Sequence, residues 1–231
     1  MKIGILRTGK TLPQINETHG EMDDLFVKLL ADDAFTFQSY AVLDDVFPAS
    51  VTECDAWLIT GSAFSAYEDL PWIARLEDFI RAAKDAQTPM VGICFGHQIM
   101  AQALGGKVEK SDKGWGLGPH DYNFDGIETP VTINAWHQDQ VTELPDGAKT
   151  VGQSSFCEHA AISYGKTGYS VQAHPEFDNS FISDLIELRR ASVPAERVSV
   201  AHTRLTHKSP SSAVVEQIKS FLKHQTLDIV G

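Results

Sequence analysis

Apolar side chains recur along the first ninety residues in two alternating rhythms. The stretches "KIGIL" (2–6), "FTFQSYAVL" (35–43), "CDAWLITGS" (54–62) and 89–93 are short apolar or alternating runs bounded by turn residues, the pattern of strands. Between them, "HGEMDDLFVKLLADD" (19–33) sets Met22, Phe26, Leu29 and Leu30 at helical spacing. A second helix is expected from Pro71, whose fixed φ suits a first turn, to Ala86. A third runs from His97 to Leu104 and is stopped by Gly105 and Gly106. Strands separated by helices of this length pair in parallel, with crossover helices on both faces of a sheet. Ligands of such sheets gather at the carboxyl ends of the strands.

From Lys107 to Phe177 the texture changes. "GKVEKS", "PVTINAWH", "AKTVGQSS", "AAISYG" and "GYSVQAHPEF" are short alternating segments with turn residues between them, which predicts mostly antiparallel strands extending or flanking the sheet. "KGWGLG" (113–118), with three glycines in five residues, reads as a turn rather than a flap. Two amphipathic helices close the chain, "NSFISDLIELRRA" and "SSAVVEQIKSFLKHQ", joined by a polar link. The expected architecture is α/β in three layers, with a largely parallel central sheet and an additional antiparallel section. It reads as one domain over 1–231, with a helical C-terminal extension at about 191–231.

Composition narrows the function. The 231 residues are 42% hydrophobic, enough for a packed core, and 19 Lys plus Arg against 31 Asp plus Glu give a net charge of −12. Such a charge repels phosphate backbones and anionic headgroups, so neither nucleic acid nor a membrane surface is an expected partner. The start "MKIGILRTGKTLP" lacks a signal-peptide core, and no segment approaches a membrane span, so a cytoplasmic protein is expected. Cys54, Cys94 and Cys157 are too few and too far apart for a zinc site or a disulfide framework; no metal or cofactor is expected.

One of these cysteines stands where chemistry is done. In "GICFG", Gly92, Cys94 and Gly96 form a glycine-x-nucleophile-x-glycine pattern at a strand-to-helix junction. A tight turn needs small neighbours so that the apical side chain stands clear of the backbone. There the sulfur lies beside a helix N-terminus, which favours thiolate, and the following N–H, from Phe95, points toward an oxyanion formed by attack on a carbonyl. Read alone, the pentapeptide fits a small buried cysteine equally well. Its base is found eighty residues on, in "YSVQAHPEF". Pro175 confines His174 to an extended conformation, so Glu176, two residues later, projects from the same side and can hold Nδ1, leaving Nε2 for the thiol. His19, His120, His159, His202, His207 and His224 have no partnered pattern and are expected on surfaces or loops.

Together these residues resemble the class I glutamine amidotransferases, the family of the amidotransferase domain of GMP synthetase. The resemblance spans roughly residues 1–180 and rests on "GICFGHQ" (92–98), "AHPE" (173–176), "LITGSAFSAYE" (58–68) and "WHQDQV" (136–141), in the family's order. It implies a flavodoxin-like fold in which Cys94 is the nucleophile, His174 the general base and then acid, and Glu176 the orienting carboxylate. It further implies that the turn at Ser62 supplies the second oxyanion N–H beside Phe95, and that Gln98 and the Trp136–His137 loop hold the amino-acid end of the substrate. The family usually has Gly-Gly-Pro where this chain has Gly61, Ser62 and Ala63.

The implied reaction is hydrolysis of the γ-carboxamide of glutamine, or of a related γ-glutamyl amide or peptide, through a thioester on Cys94. Only about fifty residues follow the last motif, and no G-x-x-x-x-G-K-[ST] loop is present, so no ATP-using domain is expected within the chain. Three outcomes stay open: a free-standing hydrolase, a glutaminase subunit delivering ammonia to a synthetase partner, or a non-catalytic γ-glutamyl binding protein. The segment "ALGGKVEKSDKGWG" (103–116) is similar to γ-glutamyl peptidases, which favours the first. An α/β-hydrolase esterase is disfavoured because its acid would precede the histidine in the chain.

Overall fold

The computed structural model describes residues 1–206 and 211–227. Its elements run β1 (Lys2–Leu6), α1 (Pro13–His19), α2 (Met22–Leu29), β2 (Thr36–Tyr40), β3 (Ala56–Ile59), α3 (Pro71–Asp85), β4 (Met90–Ile93) and α4 (Phe95–Ala103) in the first half. The second half has β5 (Lys107–Lys110), β6 (Gly116–Phe124), β7 (Val131–His137), β8 (Asp139–Glu143), β9 (Lys149–Gln153), β10 (Ala161–Ser163), β11 (Gly168–Val171), α5 (Asn179–Arg189), α6 (Ala195–Arg204) and α7 (Ser212–His224).

Nine strands form the main sheet in the order β2-β1-β3-β4-β11-β10-β9-β6-β7. From β2 to β11 the pairs are parallel, and from β11 to β7 antiparallel. A second, two-stranded sheet pairs β5 with β8. Because side chains alternate across a strand, each parallel strand feeds two cores. Ile3, Ile5, Leu58, Val91 and Ile93 face a cluster that takes Phe26 from α2 and Phe221 from α7. Leu6, Trp57, Ile59 and Met90 face the other, closed by Leu76 and Ile80 of α3 and Ile99 of α4. The fold is the expected three-layer α/β arrangement.

Several local expectations needed correction. Residues 116–118, read as part of a turn, open β6, the longest strand, because Leu117 is buried and cross-strand pairing with β7 outweighs the local turn signal of the glycines. The polar link before the last helix contains α6, whose Val198 and Ala201 are buried on a largely polar helix. The segment Pro13–His19, not singled out in the sequence, is helical, with its proline in the first turn. β11 is not a peripheral antiparallel strand; it pairs in parallel with β4 at the centre of the sheet. His120 is no loop residue: it lies in β6 with its ring against Phe156. His207 falls outside the described residues.

Candidate active site

β4 ends at Ile93 and α4 begins at Phe95, so Cys94 alone makes the bend. Its backbone sits at φ 53° and ψ −102°, a conformation that side-chain-bearing residues rarely adopt and that costs about 1–3 kcal/mol. Two hydrogen bonds hold it there: Cys94 N–H donates to the Val171 carbonyl (2.9 Å) and Gly96 N–H to the Thr60 carbonyl (3.1 Å). The flanking glycines are required by close backbone approach. A Cβ on Gly92 would lie 2.4 Å from the Gly96 carbonyl oxygen, and one on Gly96 would lie 2.2 Å from that of Ile59. Phe95 N–H, in the first turn of α4, has no acceptor among the described residues.

His174 follows β11, next to β4 in the sheet, which brings two segments eighty residues apart to the same strand ends. Its Nδ1 lies 2.7 Å from Oε1 of Glu176, whose side chain is sealed from solvent. The ring also interacts with the Cys94 side chain. Burial by itself would keep His174 neutral. Its interactions with the Cys94 side chain and the Glu176 carboxylate outweigh that and push its pKa up to about 10. The ring is stacked on Phe177 (centroids 4.1 Å, 9° between planes), and Phe177 is stacked in turn on Phe181 (3.9 Å).

Asn134 of β7 orders this turn, and nothing in the motif reading singled it out. Its carbonyl accepts from His174 N–H (2.8 Å), and its Nδ2 donates to the Phe177 carbonyl (2.9 Å) and to Asn179 Oδ1 (3.1 Å). No sequence signal marked it, because β7 also carries Thr132 and His137, and only the structure shows that the Asn134 amide is fully buried.

A cavity of about 370 Å³ opens in front of Cys94, which is 5% exposed. Gly61 and Ser62 form one wall. A Cβ on Gly61 would sit 3.0 Å from Cε1 of His174 and 3.8 Å from Cβ of Cys94, so this turn passes directly over the pair. Neither Gly61 nor Ser62 has a positive φ, which removes the need for a glycine at 62. The serine is used instead, its Oγ donating to the Thr8 carbonyl at 2.8 Å.

Gln98 lines the cavity from the first turn of α4, and its Nε2 donates to the Asp139 carbonyl (2.8 Å) and to Gln172 Oε1 (3.1 Å). Its amide hydrogens are therefore engaged within the protein, which leaves its oxygen as the acceptor. The Trp136 carbonyl lies 3.9 Å from the Cys94 sulfur, while its indole packs edge-on against Trp115. His137 also borders the cavity, with Nδ1 3.1 Å from the Asp139 carbonyl and Nε2 buried without a partner among the described residues. Burial pushes its pKa down to about 3, so it is a neutral group beside the charged His174. No three His, Cys, Asp or Glu side chains among the described residues gather as metal ligands, and all three cysteines are free.

A sequence profile of the family "Glutamine amidotransferase class-I" matches residues 38–183. Gamma-glutamyl peptidase 4 of Arabidopsis thaliana is 33% identical over 185 residues, 74% of this chain and 74% of its own length. A glutamine-hydrolyzing GMP synthase subunit of Archaeoglobus fulgidus is 38% identical over 104 residues, 42% of this chain and 57% of that one. Among solved structures, a glutamine amidotransferase of Thermotoga maritima superposes with a TM-score of 0.71 at 17% identity, covering 98% of both chains, a likeness of fold.

Proposed function

The chain belongs to the class I glutamine amidotransferases, and from that premise we propose that it is a free-standing hydrolase of γ-glutamyl amide bonds, with Cys94, His174 and Glu176 as its catalytic residues. The observation that carries the reading is the His174 ring, engaged with the Cys94 side chain and 2.7 Å from a buried Glu176 carboxylate through Nδ1. That arrangement supports a thiolate–imidazolium pair oriented by a fixed carboxylate.

In this reading the Cys94 thiolate attacks the γ-carbonyl and forms a carbon–sulfur bond, while the carbonyl electron pair moves to oxygen. The N–H groups of Phe95 and Ser62 hold that oxyanion. Collapse breaks the carbon–nitrogen bond, and the imidazolium of His174 gives its proton to the departing amine. Neutral His174 then removes a proton from water, whose oxygen attacks the thioester. Glutamate leaves, and the thiolate and imidazolium are restored. Gln98, with its oxygen free to accept, meets the α-amino group of the γ-glutamyl portion, and the Trp136–His137 segment flanks it. No cofactor enters the sequence of steps, and a cytoplasmic location belongs to the same proposal.

Release of glutamate and of ammonia or amine, measured separately across glutamine, glutathione and γ-glutamyl amines without ATP or a partner, tests this. Turnover abolished in Cys94→Ala, with a γ-glutamyl adduct on Cys94 detected by mass spectrometry in the wild type, is the expected result. Turnover that survives Cys94→Ala would refute it. The similarity to a GMP synthase subunit favours a second reading, a glutaminase that works only beside a synthetase. Silence on every substrate until such a partner is added would select it.

A further inference from the structure

At about 370 Å³ the cavity has room for more than a carboxamide, and its lining comes from different parts of the chain. The end that holds Gly61, Ser62, Gln98 and His174 is built within the stretch matched by the family profile. The other end takes Leu12 and Ile15 from before that stretch, and Leu185, Arg189 and Val193 from after it. Part of what lines this second limb therefore lies outside the family match, beside Phe177 and Phe181 from within it.

Its direction follows from the aromatic stack. His174, Phe177 and Phe181 are stacked in succession, which carries the cavity wall from the reacting pair onto α5. Leu185 and Arg189 follow Phe181 at four-residue spacing, on the same face of that helix, and Arg189 lies about 12 Å beyond Phe181 at about 1.5 Å per residue. Helix α1 bounds the limb opposite α5, to which it is tied by His19, whose Nε2 is 2.9 Å from Asp184 Oδ2 and whose ring is edge-on to Phe181. Arg197 of α6 donates to the Lys113 carbonyl (2.8 Å), securing the loop that carries Trp115 over the same space. Leu12 and Leu185 are only half-buried, so apolar surface stays available to a ligand.

The fixed charge around the cavity is opposite in sign to that of the protein, and within the limb it comes from Arg189. In a chain of net charge −12, the cavity is bordered by Lys10, Lys110 and Arg189 against one carboxylate, Asp139. Lys10 is paired with Asp44 (2.7 Å), and Asp139 accepts from Ser65 Oγ (2.5 Å). The Arg189 side chain makes no ion pair or hydrogen bond among the described residues. An apolar passage with an uncommitted guanidinium at its far end fits a ligand with an apolar body and an anionic terminus.

We propose that this limb is the leaving-group subsite, and that the protein acts on γ-glutamyl peptides whose departing residue carries a bulky apolar side chain, with its carboxylate directed to Arg189. The inference rests on the hydrolase reading above. Ammonia as leaving group would use none of this surface.

The test compares kcat/KM for γ-glutamylphenylalanine, γ-glutamylphenethylamine, which keeps the ring and lacks the carboxylate, and glutamine. Wild-type enzyme, Leu185→Asp and Arg189→Glu are assayed, and only ratios within one preparation are compared, because the folded fraction then cancels. Wild type is expected to prefer both aromatic substrates to glutamine by at least about tenfold. Leu185→Asp should lower that preference about tenfold, and Arg189→Glu should lower the ratio of the peptide to the amine about fivefold. Glutamine turned over as well as the aromatic substrates, or a preference unchanged in Leu185→Asp, overturns the subsite while leaving the hydrolase reading intact. An unchanged peptide-to-amine ratio in Arg189→Glu overturns the assignment of the anionic end. Failure of wild type to cleave any γ-glutamyl compound sinks both proposals together.

Discussion

Replacing Glu176 by Gln removes one charge from the proposed mechanism and almost no volume. The carboxylate is fully enclosed, its Oε1 is 2.7 Å from His174 Nδ1, and its Oε2 has no hydrogen-bond partner among the described residues. A hydrogen bond to a charged group contributes about 1.5–3 kcal/mol. If that contribution is felt when the imidazolium is needed, its loss lowers kcat about 10- to 150-fold, at about 1.4 kcal/mol per factor of ten. Stability should move the other way. A buried carboxylate with one oxygen unpaired is costly to desolvate, and a neutral amide of the same shape is less so, so the melting temperature should hold or rise. The pH profile supplies a third reading. Glu176 is one of the groups that raise His174 to about 10, so the ring stays protonated until pH approaches that value. Without the carboxylate the folded pKa falls, and the alkaline limb of kcat should shift to lower pH. Steady-state glutamate release from pH 6 to about 10.5, with thermal melts of both proteins, measures all three. A kcat within threefold of wild type and an unmoved alkaline limb would show that Glu176 does not orient the base.

Two further outcomes follow from packing and burial. Gly96→Ala would set a Cβ 2.2 Å from the Ile59 carbonyl oxygen, forcing the start of α4 away from β3; urea unfolding should show a loss of about 1–3 kcal/mol together with reduced turnover, and an unchanged midpoint would refute the close approach. His97 and His137 are buried and held near pKa 3, below the value of about 6.5 in an unfolded chain. The unfolded state therefore binds more protons below pH 6.5, and stability present above that pH is lost as pH falls toward 3, by on the order of 2 kcal/mol per histidine at pH 5. His174, with its raised pKa, contributes its full share below pH 6.5 and does not offset this loss. Equal urea midpoints at pH 7 and pH 5 would contradict it.

The departure of this chain from the family's usual turn has a structural reason. A serine at 62 would be strained if the turn needed positive φ, but the turn does not need it, and the hydroxyl fastens this segment to the loop after β1 through Thr8. Asn134 plays a similar part on the opposite side, holding both ends of the turn that presents His174.

What the sequence determined by itself were the features whose physics is local. Alternation placed β1 at residues 2–6 and the helical period placed α3 from Pro71, within a residue of their observed bounds. The glycines around Cys94 announced a bend, and the spacing of His174 and Glu176 announced their pairing, although residues 174–177 form a turn closed by Phe177 N–H to the His174 carbonyl (3.3 Å) and not the extended run expected. Tertiary structure decided the rest. That β11 lies beside β4, and so brings His174 to Cys94, is a matter of strand order, which no local pattern encodes. β6 formed despite its glycines because pairing with β7 and burial of Leu117 exceed the cost of about 0.5–1 kcal/mol for each glycine within a strand. The apolar limb along α5 was illegible for the same reason. Its walls bring together residues 12–15, Phe177, Phe181 and residues 185–193, whose spacing along the chain carries no sign that folding makes them face one another.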